Sequence, residues 1–240
     1  MGILKKMAKV IIENLTLDYP LFNEGDFQLR NSINSFLGVR KKEKVKVIKA
    51  LKNVNLTLND GDRLGLTGPN GCGKSTLLKV ISGIYSPIHG SVKIEGEIFP
   101  LLDVGMGLIG DMTGMENIYS IAYSRGFAKS EVERSINWIV EFAGLGEAIN
   151  RTVRTYSSGM VVRLACSVLL SQKPDIFVID EFFGAGDKNF TEKVENQLKE
   201  NIKDSGIFVF ASHSEELIKK TCNKIAIFEE PGIIKEIVPI

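Results

Sequence analysis

The chain has 240 residues, of which 44% are hydrophobic and 25% are charged, a balance typical of a folded globular protein and not of a disordered or fibrous one. The formal net charge of +1 lacks the basic excess that DNA- and RNA-binding proteins usually carry, which argues against a nucleic-acid partner. Three widely spaced cysteines, Cys72, Cys166 and Cys222, match neither a zinc site nor a disulfide framework and indicate a reducing compartment.

The sequence carries no run of about 18 apolar residues, the length that a membrane-spanning helix needs. The amino-terminal segment has three lysines in its first ten residues but lacks the apolar stretch of a secretory signal. If the protein works at a membrane, we therefore expect another protein to hold it there.

The first predicted elements are strands. Residues 10–18 and 51–58 alternate between apolar and polar side chains, which predicts a strand in each segment. The intervening residues 21–46 fit neither pattern and include a basic run. We interpret them as a solvated insertion, with a membrane-surface contact as the alternative.

A strand, a glycine-rich stretch and a helix follow in that order. The strand is predicted at 63–67, the glycines fall in 68–73, and the helix that follows is expected to stop near Gly83. Between about 111 and 171 the pattern becomes helical, with capping-box spacing from Thr113 and again from Ser130.

The last third of the chain returns to strands. Continuous apolar runs at 176–179 and 207–211 are typical of central parallel strands, and a charged helix is predicted between them at 191–203. Near the carboxyl terminus, the sequence pattern predicts a hairpin of two strands, at 224–228 and 233–238.

Residues 68–75 read GPNGCGKS and fit the phosphate-loop pattern, in the required place between a strand and a helix. The glycines let backbone N–H groups face the phosphates, Lys74 supplies charge to the outer phosphates, and the Ser75 hydroxyl is a ligand for Mg²⁺. Cys72 lies beside Lys74 and is predicted to be a reactive thiol, the alternative being a small residue that simply fits. The predicted phosphate-binding residues are Gly68, Asn70, Gly71, Cys72, Gly73, Lys74, Ser75 and Thr76.

Two carboxylates follow the apolar run at 176–179, at the strand end where open α/β sheets bind ligands. Asp180 is predicted to bind Mg²⁺, and Glu181 to orient or deprotonate the attacking water. His213 follows the next apolar strand and is predicted to lie near the terminal phosphate. The alternatives are two solvated charges at a strand end and a structural histidine.

A serine–glycine turn precedes the last helix of the helical region and reads YSSGM at 156–160. With this turn, the chain resembles the ATP-binding subunits of ABC transporters over nearly its full length. Four segments are similar to the group that exports O-antigen, teichoic acid or capsule chains: LLDVGMG at 101–107, TGMENI at 113–118, YSSGM with RLA at 163–165, and GAGD at 184–187.

The resemblance implies an α/β P-loop NTPase (RecA-like) core with an antiparallel β sub-region and a helical sub-region inserted at about 105–171. The whole of residues 1–240 would form one nucleotide-binding domain. The expected ligands are ATP and Mg²⁺.

The same resemblance implies a head-to-tail pair of subunits. Each ATP would lie between the phosphate loop of one copy and Ser157, Ser158 and Gly159 of the other, with Asp187 in the loop that couples the two sites. Tyr19 is the predicted ring that stacks on adenine, with Phe22 as the reserve.

The implied partner is a polytopic membrane permease, in two copies, that makes most of the contacts with the polysaccharide. The expected location is the cytoplasmic face of the inner membrane.

Two departures from related sequences are visible. No glutamine occurs between Gln28 and Gln172, so the loop glutamine of most ABC ATPases has no counterpart, and residues 105–107 occupy that stretch. We expect no additional carboxyl-terminal carbohydrate-binding domain in residues 1–240.

The alternatives to a polysaccharide exporter are an ABC ATPase for another transported substrate, a non-transport ATPase acting on ribosomes or DNA, and a phosphoryl-transferring kinase.

Overall fold

A computed structural model describes residues 7–21, 46–102, 107–180 and 188–240 of the chain. Most of the predicted insertion at 21–46, together with Phe22, residues 105 and 106, Glu181 and Asp187, lies outside the described residues. Among the described residues, no helix combines the length and the apolarity that a membrane crossing needs.

An antiparallel sheet is formed by β1 (Lys9–Leu21), β2 (Lys46–Asn59) and β4 (His89–Glu95), with β1 in the middle. The buried side chains of β1 change phase after Ile12 and resume at Leu15, where the pairing register shifts. Asn14 lies at this bulge with a φ of +51°, a left-handed conformation that asparagine tolerates better than most residues. The bulge keeps the apolar side of β1 on the core.

A second sheet, mostly parallel, has the strand order β5, β6, β7, β3, β8, β9 in the described residues. Its strands are β3 (Arg63–Thr67), β5 (Ile98–Leu101), β6 (Ile176–Asp180), β7 (Ile207–Ala211), β8 (Lys224–Glu230) and β9 (Ile233–Pro239). β8 and β9 pair antiparallel, as the predicted tail hairpin requires.

The described helices are α1 (Lys74–Ile81), α2 (Gly114–Ser124), α3 (Lys129–Ala143), α4 (Ser158–Leu170), α5 (Lys188–Asp204) and α6 (Glu215–Thr221). Two short 3₁₀ helices, Gly146–Asn150 and Val153–Thr155, connect α3 to α4. One capping prediction was wrong: α3 begins before Ser130, and its Glu131 carboxylate accepts the Ala128 N–H at 2.7 Å.

The core lies on both faces of the parallel sheet, because side chains alternate along each strand. Phe177 and Ile179 of β6 contact the cluster that includes α2, α3 and α4. Ile176 and Val178 contact the cluster formed with α1 and the antiparallel sheet. The sheet is therefore covered by helices on one face and by the antiparallel sheet with α1 on the other, which is the predicted α/β architecture.

Candidate nucleotide-binding site

Three strands bring the predicted site residues to one edge of the parallel sheet. β7 lies between β6 and β3, and its Ala211 pairs with Asp180 of β6 on one side and with Leu66 of β3 on the other. Because all three strands run parallel, their carboxyl ends meet at this edge, where α/β sheets bind ligands. The loop after β3, the end of β6 and the end of β7 are thus neighbours.

The phosphate loop follows a tight path that requires glycine at two places. Gly68 and Gly73 have φ values of +145° and +112°, in the region that favours glycine. A Cβ at Gly68 would lie 2.6 Å from the Phe228 carbonyl oxygen, and one at Gly73 would lie 2.8 Å from the Ala50 carbonyl oxygen. The backbones of Phe228 and Ala50 therefore pack directly against the loop at the amino-terminal end of α1.

Lys74 is held inside this loop. Its side chain is 8% exposed, and its Nζ donates to the carbonyl oxygens of Gly68 at 2.8 Å and Pro69 at 3.0 Å. These hydrogen bonds compensate part of the cost of desolvating the ammonium group. The charge is positioned over the loop at the amino-terminal end of α1, where the helix dipole also favours an anion.

Cys72 is also buried, at 2% exposure. Its carbonyl oxygen accepts the Gly232 N–H at 2.8 Å, which ties the loop to the turn between β8 and β9. The burial argues against the predicted alkylation-prone thiol and favours the alternative of a small residue that fits between the loop and its support.

A cavity of about 190 Å³ joins the loop to the ends of β6 and β7. Asp180 and His213 line it, so these two predicted residues lie together with the phosphate loop. The loop residues in its wall are Asn70, Gly71, Cys72, Gly73, Lys74, Ser75 and Thr76. The cavity combines a buried cation, hydroxyl groups, a carboxylate and an imidazole, the groups that a phosphate chain with a divalent cation requires.

Ala211 and Ser212 complete the cavity wall and were not predicted. Ser212 is buried, and its Oγ accepts the Ser214 N–H at 3.1 Å, which shapes the turn that carries His213. The only sequence signal for Ser212 is its position next to His213 after an apolar strand.

Tyr19 lies near the start of α1, outside the wall of this cavity. Its hydroxyl donates to Thr76 Oγ1 at 3.4 Å, and burial raises the pKa of the phenol above its ordinary value. The ring is half-buried. The predicted base-stacking residue is therefore linked directly to the phosphate loop.

Ser157, Ser158 and Gly159 begin α4 and do not line the cavity in the described part of the chain. Ser157 caps the helix, since its Oγ accepts the Met160 N–H at 3.3 Å, and Ser157 and Ser158 are exposed. A capped helix start with exposed hydroxyl groups is suited to an anion. The structure therefore places the turn apart from the phosphate loop of the same chain.

The segment before this turn is attached to the loop that precedes α2. The Val153 N–H donates to the Met112 carbonyl oxygen and the Arg154 N–H to the Gly110 carbonyl oxygen, each at 2.9 Å. Arg154 also pairs with Asp111. These contacts connect the stretch that follows residues 105–107 to the serine–glycine turn.

Comparison with known families identifies the chain. The model of the family described as "ABC transporter" matches residues 51–184, a span that includes the phosphate loop, the serine–glycine turn and Asp180. The chain belongs to the ABC transporter family. The predicted family is thereby confirmed, and with it ATP as the ligand and ATP hydrolysis as the activity.

Individual ABC relatives are similar over nearly the whole chain. The O-antigen export system ATP-binding protein RfbE of Yersinia enterocolitica is 41% identical and covers 96% of this chain and 98% of its own. The teichoic acids export ATP-binding protein TagH of Staphylococcus epidermidis is 36% identical and covers 97% of this chain and 87% of its own. An ATP-binding cassette solved as a dimer with ADP and Pi has a TM-score of 0.69 at 23% identity, covers 96% of this chain and 98% of its own, and supports the ABC ATPase fold.

Proposed function

We propose that this chain is the ATP-hydrolysing subunit of an ABC exporter that moves a lipid-linked polysaccharide, with O-antigen as the first candidate. The observation that carries the proposal is the cavity that joins the phosphate loop to Asp180 and His213. The export relatives that match nearly end to end support the choice of substrate class. A polysaccharide needs such a machine because its polar groups would lose their hydrogen bonds to water across about 30 Å of hydrocarbon.

In this proposal the triphosphate of ATP lies against the loop from Gly68 to Thr76. Lys74 exchanges its carbonyl partners for the outer phosphate oxygens, which carry more negative charge and so bind the ammonium more strongly. Tyr19 supports the adenine, because its hydroxyl contacts Thr76 at the edge of the same loop.

A Mg²⁺ ion fits the residues present. Ser75 and Asp180 line one cavity, and a hydroxyl and a carboxylate are oxygen ligands of the kind that Mg²⁺ prefers. We assign these two residues to the metal, which would neutralise charge on the phosphates when bound.

Glu181 is proposed as the group that orients or deprotonates the attacking water, because it follows Asp180 directly at the end of β6. His213 is proposed to contact the terminal phosphate, because it lines the same cavity as the phosphate loop. Asp187 is proposed to lie in the loop that couples two sites, by its place in the GAGD segment.

A second copy of the chain completes each site in this proposal. The Ser157 to Gly159 turn would close over the ATP held by the partner copy, which agrees with its exposure away from its own phosphate loop. This closure of the two copies over ATP would be transmitted to two copies of a permease at the cytoplasmic face of the inner membrane. The helical sub-region would carry this coupling, and the hydrogen bonds between 110–112 and 153–154 connect the loop before α2 to the turn.

The test is a Lys74→Ala strain, compared with Lys203→Ala, which removes an exposed lysine of α5 that does not line the cavity. We expect Lys74→Ala to leave the polymer on its lipid carrier inside the cell and Lys203→Ala to export it normally. Surface polysaccharide would be measured by immunoblot of intact cells. Normal surface polymer in the Lys74→Ala strain, with no second exporter present, would favour another transported substrate or a non-transport ATPase.

A further inference from the structure

Tyr85 lies in the short connection between α1 and β4, and both ends of this connection are fixed. The Tyr85 N–H donates to the Lys79 carbonyl oxygen at 3.3 Å, which attaches it to the last turn of α1. Three residues later, the Ile88 N–H donates to the Thr16 carbonyl oxygen of β1 at 3.0 Å. The backbone of Tyr85 is thus fixed between the helix that follows the phosphate loop and the strand that carries Tyr19.

The ring of Tyr85 is held by its neighbours. The Lys79 ammonium lies 5.5 Å from the ring centroid, a distance at which a cation is attracted by an aromatic face. Tyr85 also packs against Tyr19 edge to face, with ring centroids 5.7 Å apart and an interplanar angle of 75°. This arrangement is among the favoured geometries of aromatic pairs.

Tyr19 therefore has two independent supports. The hydrogen bond to Thr76 holds the hydroxyl end of the ring, but a contact at the hydroxyl leaves rotation about the ring axis open. The perpendicular contact with Tyr85 opposes that rotation, because turning the ring would lose the edge-to-face geometry.

We infer that Tyr85 is a positioning residue for the nucleotide base, which it serves by fixing the plane of the Tyr19 ring. The inference rests on the proposed role of Tyr19 in supporting adenine. It assigns Tyr85 no contact with the phosphates, so its effect should fall on the base-dependent part of affinity alone.

The experiment compares two ligands on the full-length chain, ATP and inorganic tripolyphosphate, by calorimetry in EDTA so that nothing is hydrolysed. Tyr85→Leu should weaken ATP binding by about twofold to tenfold, the range typical of one aromatic pair, and leave tripolyphosphate binding unchanged. Tyr85→Phe keeps the ring and its edge-to-face contact and should stay closer to the wild type than Tyr85→Leu. Tyr123→Leu is the matched control, because it breaks a different tyrosine pair, with Tyr119, whose centroids are 5.9 Å apart on α2.

Tyr19→Leu separates the inference from the function on which it rests. If Tyr19→Leu weakens ATP binding and Tyr85→Leu does not, the positioning role is overturned while the base site stands. Equal weakening of both ligands in Tyr85→Leu would also overturn it, by showing that Tyr85 only supports the loop. Full ATP affinity in Tyr19→Leu would remove the base site itself, and the inference with it.

Discussion

The buried cysteines show how strongly the interior changes the chemistry of single residues. Burial raises the pKa of Cys166 to about 12 and of Cys222 to about 11. Both groups therefore remain protonated thiols at pH 8 in the folded chain. Since the thiolate is the nucleophile, these thiols should be unreactive.

We predict that iodoacetamide modifies Cys166 and Cys222 slowly in the native protein at pH 8, and rapidly once urea has unfolded it. At pH 10 the thiols of the unfolded chain, which titrate near 8.5, should be almost fully ionised, whereas both folded thiols should remain mostly protonated because 10 is below their raised pKa values, so the folded chain should still react more slowly than the unfolded one. Peptide mass spectrometry after timed quenching gives the rate for each cysteine. Native rates equal to the unfolded rates would contradict the burial of these thiols.

At the scale of elements, Asn117 fixes the loop before α2. The side chain is fully buried. Its Oδ1 accepts the Ile109 N–H at 2.7 Å, and its Nδ2 donates to the carbonyl oxygens of Ile109 and Thr113, each at 2.9 Å. The same helix begins with the predicted capping box, in which Thr113 and Glu116 exchange hydrogen bonds.

Asn117→Ala should lower the free energy of unfolding by about 2–4 kcal/mol, because it leaves several buried backbone groups without partners. Asn196→Ala, at an exposed position on α5, is the control and should change it by less than about 0.5 kcal/mol. Urea unfolding followed by circular dichroism measures both. A near-neutral Asn117→Ala would show that water readily replaces the amide in this loop.

The sequence predicted the elements whose signal is local and missed those that depend on pairing. β6 and β7 are continuous apolar runs and were predicted, whereas β4 is mostly exposed and is held by its pairing with β1. β5 has only four residues, including Pro100, and gave no strand signal. The phosphate loop could be predicted because its residues are contiguous, but the contact between Tyr19 and Tyr85 could not, because it joins distant parts of the chain.

At the scale of the whole molecule, the residues proposed to bind the nucleotide lie in two separate places. The phosphate loop, Asp180 and His213 share a cavity at the edge of the parallel sheet. The Ser157 to Gly159 turn lies at the exposed start of α4, which packs with α2 and α3 on the other side of the core. Under the proposed function, a single chain therefore presents two halves of a site rather than one complete site.

Mixing two defective chains tests whether the halves come from different copies. Lys74→Ala disables the loop. Gly159→Asp places a negative charge at the turn, where it should repel a phosphate, and it fits sterically because a Cβ there meets only Ser157 Oγ, at 3.9 Å. Both chains would carry Glu181→Gln, which should slow hydrolysis by about 10²- to 10⁴-fold and retain the bound ATP.

In a head-to-tail pair, the mixed dimer has one site with both defects and one with neither, so the mixture should retain ATP on a desalting column although each variant alone does not. If loop and turn acted within one chain, both chains would be defective and mixing would restore nothing. Retention should rise with the fraction of mixed dimers and be greatest at equal amounts. A mixture that retained no more ATP than its two components would refute the shared site and leave the exposed turn of α4 without its proposed partner.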